Sequence, residues 1–312
     1  MDGEWEWTHT AVVDALKMLP NLQRLCIAST TCQIEIPFHL FTALKHIDVQ
    51  CRNEASYNPV YHWKTFENIV KMISESPLLQ SISLSNDSDH DCYRATRSLH
   101  HLLERYPETV PPLRLKHLSL ENFYVRLDDE TVMRHLKHLT SLSLESIPEP
   151  PRLDSDGSDF IPKAVLEKQT RWGSTHEQIW TAISNTDLRL EAINLDTTPL
   201  AFLEYIGSYC GLKKLKIDTR GYRDRVMSDN GANKFYEALK NHADSIEDLD
   251  VATHFEGLWC FAHHNIALFS TLQHLRTLRV TVRSSDFIPK SKRLPSKNII
   301  VSLLGLFQMS IN

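Results

Sequence analysis

The residues of this chain that could do chemistry are its 16 histidines, six cysteines and 39 carboxylates. Three local clusters stand out. Asp87, Asp89, His90, Asp91 and Cys92 fall within six residues; His135 and His138 are three apart; His254, Cys260, His263 and His264 share one stretch. Such groups suit a metal ion or acid–base work. None has the tandem paired spacing of a zinc site, so polar loop or helix surface is the expectation, with no metal. A Ser or Cys nucleophile needs a fixed base and an oxyanion donor pair, and no local signature supplies either. The nine glycines form no GxGxxG, GxxxxGK or GxSxG, which removes the dinucleotide, P-loop and nucleophile-elbow readings. The expectation is a protein that is not an enzyme and holds no cofactor.

Composition bounds the rest. The 312 residues are 42% hydrophobic and 23% charged, enough for a packed core. A formal net charge of −5 argues against a globally basic nucleic-acid binder. The six cysteines form no CxxC, and the opening residues MDGEWEWTHT carry neither a basic region nor an apolar run of a secretory signal. The apolar stretch at 299–309 is too short to span a bilayer and is broken by Ser302, Gly305 and Gln308. The expectation is an intracellular protein, cytoplasmic or nuclear, with reduced thiols and no membrane.

Whatever the polar residues do, a repeat must position them. The unit apolar-x-x-apolar-x-apolar recurs nine times, starting at Leu22, Leu44, Leu79, Leu115, Leu139, Leu190, Leu212, Ile246 and Leu275, with starts 22 to 51 residues apart. Its last two apolar positions are two apart, the period of a strand with one buried face. Between copies the spacing is helical: Phe66, Ile69, Val70 and Ile73; Leu99, Leu102, Leu103 and Tyr106; Leu200, Leu203 and Ile206 after Thr198-Pro199. Ser174 and Glu177 read as a capping box before Ile179, Trp180 and Ile183, and Gly211 as a helix stop. The final stripe of Ile299, Ile300, Leu303, Leu304 and Phe307 reads as a helix with no strand after it. Helix and parallel strand in alternation predict an α/β solenoid whose stacked units share one core, a single domain over 1–312 with insertions near 146–175 and 283–298.

The segments LPNLQRLCI, SPLLQSISL, LRLKHLSL, LTSLSL, GLKKLKI and LQHLRTLRV carry a resemblance. The chain resembles leucine-rich repeat proteins of the ribonuclease-inhibitor-like type. It is closer still to the irregular leucine-rich regions of F-box proteins, especially the divergent ones plentiful in fungi. The resemblance implies a horseshoe of about nine irregular repeats, with parallel strands on the concave face and helices on the convex face. It departs from the family where the repeat usually carries Asn or Cys, three residues after the last apolar position. Those places hold Thr30, Arg52, Asp87, Phe123, Ile147, Thr198, Arg220, His254 and Arg283, so the turns must be satisfied another way. The F-box itself, which docks on the Skp1 adaptor of a cullin ubiquitin ligase, is not read in this sequence. The chain enters a repeat helix at Ala11–Leu16, and no adaptor-binding residue is carried over.

In such a repeat the strand residues beside the buried pair face outward. They form three rows, with Arg24 to Thr277 in the first, Cys26 to Arg279 in the second and Ala28 to Thr281 in the third, and none contains an aromatic. One reading is a solvated polar face; the other is a partner-binding face. The candidate contacts are Asp48, Glu121, Glu145, Asp196, Lys214, Lys216, Asp218, Asp248, Asp250 and Arg279. The function this implies is protein–protein recognition. It is either the substrate-recognition part of an F-box-type ligase, with Skp1 and cullin as partners if an F-box lies outside this chain, or a free-standing scaffold or inhibitor. Residues 145–160 read as an acidic, Pro-rich loop, and Lys290-Ser-Lys292-Arg293 as a solvated basic loop rather than a nucleic-acid patch. The hexapeptide SDFIPK, at 158–163 and 285–290, reads as a Phe-Ile anchor before a Pro.

Overall fold

A computed structural model describes residues 14–15, 18–19, 21–29, 41, 43–51, 59–86, 97–150, 171, 173–219, 224–253, 256–283 and 299–302. The initial repeat helix, the 87–92 cluster, His254, most of the 145–160 loop, the basic loop and both hexapeptides fall largely or wholly outside them. The architecture is α/β, with strands and helices in alternation, and it divides into two compact units.

The first unit comprises residues 1–139 and 146–175. It holds β1 (Arg24–Ser29), β2 (His46–Cys51), α1 (Pro59–Glu75), β3 (Ser81–Asn86), α2 (Leu99–Leu103), β4 (His117–Glu121) and α3 (Glu130–Leu136). Its four strands pair in chain order, all parallel, with Leu25, Ile47, Ile82 and Leu118 in one register. The second unit comprises 140–145 and 176–312. It holds β5 (Ser141–Glu145), α4 (His176–Ser184), β6 (Ala192–Leu195), α5 (Leu200–Gly207), β7 (Lys214–Asp218), α6 (Arg225–Lys240), β8 (Asp248–Ala252), α7 (Ile266–Phe269), β9 (Thr277–Val282) and β10 (Ile299–Ser302). Strands β5 to β9 are parallel, with Leu142, Ile193, Leu215, Leu249 and Leu278 in register.

Of the 27 apolar repeat positions, 24 are buried; the exceptions, Leu22, Ile27 and Leu275, belong to the first and last copies. A copy is therefore sealed by having a copy on either side. The helices complete the core. Phe66, Ile69, Val70 and Ile73 of α1 are buried, and in the second unit Trp180 of α4 meets Phe202 of α5 edge-on at 4.8 Å. In α5 the buried residues are Ala201, Phe202, Leu203, Tyr205 and Ile206, while Leu200 is exposed, because the helix starts at Leu200 with that residue on its open side.

Register is held by the main chain at the second position of seven of the nine copies. The Gln23 carbonyl accepts from the N–H groups of both Lys45 and His46; Lys45 does the same for Gln80 and Ser81, and Gln80 for Lys116 and His117. In the second unit Thr140, Glu191, Lys213 and Glu247 repeat the pattern, each oxygen serving two N–H groups of the next copy at 2.7 to 3.0 Å. Where the strands end, Asn122 after β4 and Ser146 after β5 take positive φ values of 60° and 51°. These left-handed residues turn the chain out of the strand.

Three expectations need correction. Glu177 does not close a capping box on its own helix. Its carboxylate accepts from the N–H groups of Leu200 and Ala201, both at 2.8 Å, and so caps the next helix, whose N-cap Pro199 has no side-chain donor or acceptor to offer. Gly211 does adopt a left-handed φ of 105°, but α5 has already ended at Gly207, so Gly211 shapes the turn into β7 instead. Residues 299–302 are not helical. They form β10, antiparallel to β9 with Ile299 opposite Val282, because β-branched Ile299, Ile300 and Val301 suit the open edge of β9.

Leu118 and Leu215, each 1% exposed, test the register. Leu215→Ala is expected to cost about 3 kcal/mol by urea denaturation, the usual cost of a truncated core leucine. Leu118→Asp and Leu215→Asp each bury an unpaired carboxylate and are expected to abolish the cooperative transition of their own unit.

Candidate functional site

The outward rows of the second unit form a continuous polar surface. Side chains alternate along each strand, so the residues between the buried pairs all emerge on one face. Strand pairing then aligns them: Ser141, Ala192, Lys214, Asp248 and Thr277 in the first row, and Ser143, Asn194, Lys216, Asp250 and Arg279 in the second. Glu145, Asp196 and Asp218 stand beyond them, toward the carboxyl ends of the strands, and make that border acidic. The first two rows line an open trough of about 430 Å³.

Within it the charges are paired. Lys214 Nζ lies 3.2 Å from Asp248, Arg279 donates to Asp250 at 3.0 Å, and Lys216 is 3.9 Å from Glu145. Asn194 is the hub of one end. Its Nδ2 donates to Ser143 Oγ at 2.9 Å and to Glu145 Oε1 at 2.6 Å, while Ser143 Oγ also donates to Glu145. The opposite amide orientation would set its oxygen against the Glu145 carboxylate, so the donors fix the side chain. Asn194 Oδ1 is left buried without a hydrogen bond.

Eight of the ten candidate contacts thus belong to the second unit, and six of those eight, all but Asp196 and Asp218, take part in the pairs just described. Asp48 and Glu121 belong to the first unit, where each accepts a hydrogen bond from a serine of β3: Ser83 to Asp48 at 3.1 Å, and Ser85 to Glu121. Asn194 and Ser143 were not among the candidates, although their place in the second row was visible from the repeat phase. A second pattern was also in reach. Second-position side chains alternate in sign along the unit, and they pair as Lys213 with Glu191 at 2.9 Å and Arg276 with Glu247 at 3.4 Å.

The histidines are distributed differently. His135 is fully buried while His138 is exposed, so they do not share a site. Nδ1 of His135 accepts the buried N–H of Leu113 at 2.9 Å, which leaves the ring's one proton on Nε2, 3.0 Å from Arg134 Nε. His242 plays the same part in the second unit: Nδ1 accepts from Leu212 N–H, and Nε2 donates to the Ile206 carbonyl. Both imidazoles tie a loop amide to the core. His263 and His264 are exposed, whereas Cys260 beside them is buried, its sulfur 3.6 Å from Thr253 Oγ1. Among the described residues no group of three or more His, Cys, Asp or Glu could hold a metal ion, and no helix is long and apolar enough to cross a membrane.

No family model matches the sequence, and no curated protein matches it either.

His135 gives a prediction with a definite sign. Burial, with Arg134 beside it, lowers its pKa from 6.5 to about 4. Between those values the unfolded chain takes up a proton that the folded one refuses, so stability falls as pH drops from 6.5 toward 4. The full difference is about 3 kcal/mol at 1.36 kcal/mol per pH unit. Urea midpoints measured across that range should fall less steeply for His135→Gln, which keeps an acceptor for Leu113 but cannot be protonated.

Proposed function

We propose that this chain is a protein-recognition scaffold of the leucine-rich-repeat kind, a horseshoe that presents its strand face to a partner and performs no chemistry of its own. The observation that carries the reading is the pair of outward rows on β5 to β9. They are open to solvent, charged and densely hydrogen-bonded, and they stand on strands whose register the main chain holds. Rigid presentation of that kind lowers the ordering cost of binding. The carboxylates there are matched by cations rather than by a base or a nucleophile, which supports binding over catalysis. The exposed thiols of Cys26 and Cys210 are free, which supports a reducing, intracellular setting.

The narrower form of the proposal is the substrate-recognition part of an F-box-type ubiquitin ligase. It rests on the irregular repeat spacing. The alternative is a free-standing scaffold or inhibitor that works by occluding its partner.

One experiment addresses both forms. The tagged protein and a Lys214→Glu/Lys216→Glu variant are expressed in parallel and their co-purifying proteins compared by mass spectrometry. Proteins held by the parent and lost by the variant are the expected result, and they define what the strand face binds. Skp1 and cullin in both captures would establish the ligase form; their absence beside a partner lost by the variant would establish the free-standing one. Identical captures would remove the strand face as the binding surface.

A further inference from the structure

The trough of the second unit has a charge order that selects its occupant. Its cations stand outside its anions: the side chains of Lys214, Lys216 and Arg279 are 62%, 56% and 62% exposed, against 37%, 39% and 20% for their partners Asp248, Glu145 and Asp250. A molecule approaching the face meets ammonium and guanidinium groups first. Exposed pairs of this kind contribute little to stability, so a partner's carboxylate can replace the internal one at small cost.

The order along β7 sharpens the match. Lys214, Lys216 and Asp218 emerge on the same face at alternate positions, about 7 Å apart by strand geometry. An extended peptide places its own alternate side chains at the same interval. The complement of Lys-x-Lys-x-Asp is therefore a segment with acidic residues at two alternate positions and a basic residue at the third. Arg279, two strands away from Lys216, lies about 10 Å to the side and can receive a further carboxylate. The acidic border of Glu145, Asp196 and Asp218 repels the acidic end of such a segment and so fixes its direction.

We propose that the outward face of β7 to β9 binds an extended acidic segment of a partner protein, with alternating carboxylates on Lys214 and Lys216 and a basic residue toward Asp218. The proposal rests on the strand face being the binding surface and adds the chemistry of what binds. A nucleic-acid strand fits the same cations less well. It carries no basic group to set against Asp218, and neither row offers an aromatic on which a base could stack.

The test uses the full chain and three labelled probes, read by fluorescence polarisation at low and at physiological salt. The first is a twelve-residue peptide of alternating Glu and Ser ending in Lys; the second is its charge-reversed counterpart; the third is a single-stranded oligodeoxynucleotide. The acidic peptide should bind, lose affinity as salt rises, and outcompete the charge-reversed peptide by at least tenfold. Lys214→Glu/Lys216→Glu should weaken it by roughly a hundredfold, about tenfold for each reversed contact, as like charges then face each other. Lys234→Glu/Lys240→Glu, on the exposed side of α6 with the same change of net charge, should leave it within twofold. Circular dichroism melts of both variants confirm that they fold. Equal weakening by the two variants would overturn the proposal, as would preference for the charge-reversed peptide or binding of the oligonucleotide alone. If the acidic peptide fails to bind while the Lys214→Glu/Lys216→Glu variant still loses a cellular partner, the acidic class is wrong and the strand face stands.

Discussion

One carbonyl oxygen serving two N–H groups, at the second position of seven of the nine copies, is the constraint on which the rest depends. It occurs at Gln23, Lys45 and Gln80 in the first unit and at Thr140, Glu191, Lys213 and Glu247 in the second. Because donor and acceptor are all main chain, the strand that follows begins in the same phase in every copy, whatever the side chains. The apolar pair then points inward and the residues between point outward. Unequal connections, from the passage through α5 before β7 to the longer excursion before β6, leave that phase untouched. Each excursion only has to bring its two N–H groups back to the carbonyl of the copy before it.

Burial and polar satisfaction follow from the same geometry. Once Leu190, Leu212 and Ile246 are placed, their amides and those of neighbouring turns lie in the core and need acceptors. His242 supplies one to Leu212, His135 one to Leu113, and the Tyr205 hydroxyl one to Leu190. These are side-chain contacts between residues 15 to 30 apart in the chain. Burial also raises the Tyr205 and Tyr209 pKa values, so both phenols stay neutral, as hydrogen-bonded groups inside an apolar layer should.

The parts legible in the sequence are those written in a single period. Leu215 and Ile217, two apart after Leu212, announce strand, buried face and phase at once. Ile69, Val70 and Ile73 do the same for a helix. The rows of polar residues came with the phase, and so Lys214, Asp248 and Arg279 could be placed on one surface before any coordinates. Glu177 was not legible, because a carboxylate capping its own helix and one capping the next look identical in sequence; only the packing of α4 beside α5 decides. Asn194 was not legible as a hub either, since its partners lie one strand back and 49 to 51 residues earlier in the chain. Ile299 to Ser302 misled through periodicity: a short apolar run fits helix and strand equally, and the open edge of β9 settled it.

Main-chain control of register has a consequence for how such a chain can change over time. Lys216, Asp250 and Arg279 lie outside the main-chain frame and can be exchanged with it intact, while Leu215 or Leu249 cannot. Surface identity is then free to drift at a rate set by the partner alone. Two descendants of one ancestor could keep the same skeleton and share little more than a sparse set of leucines.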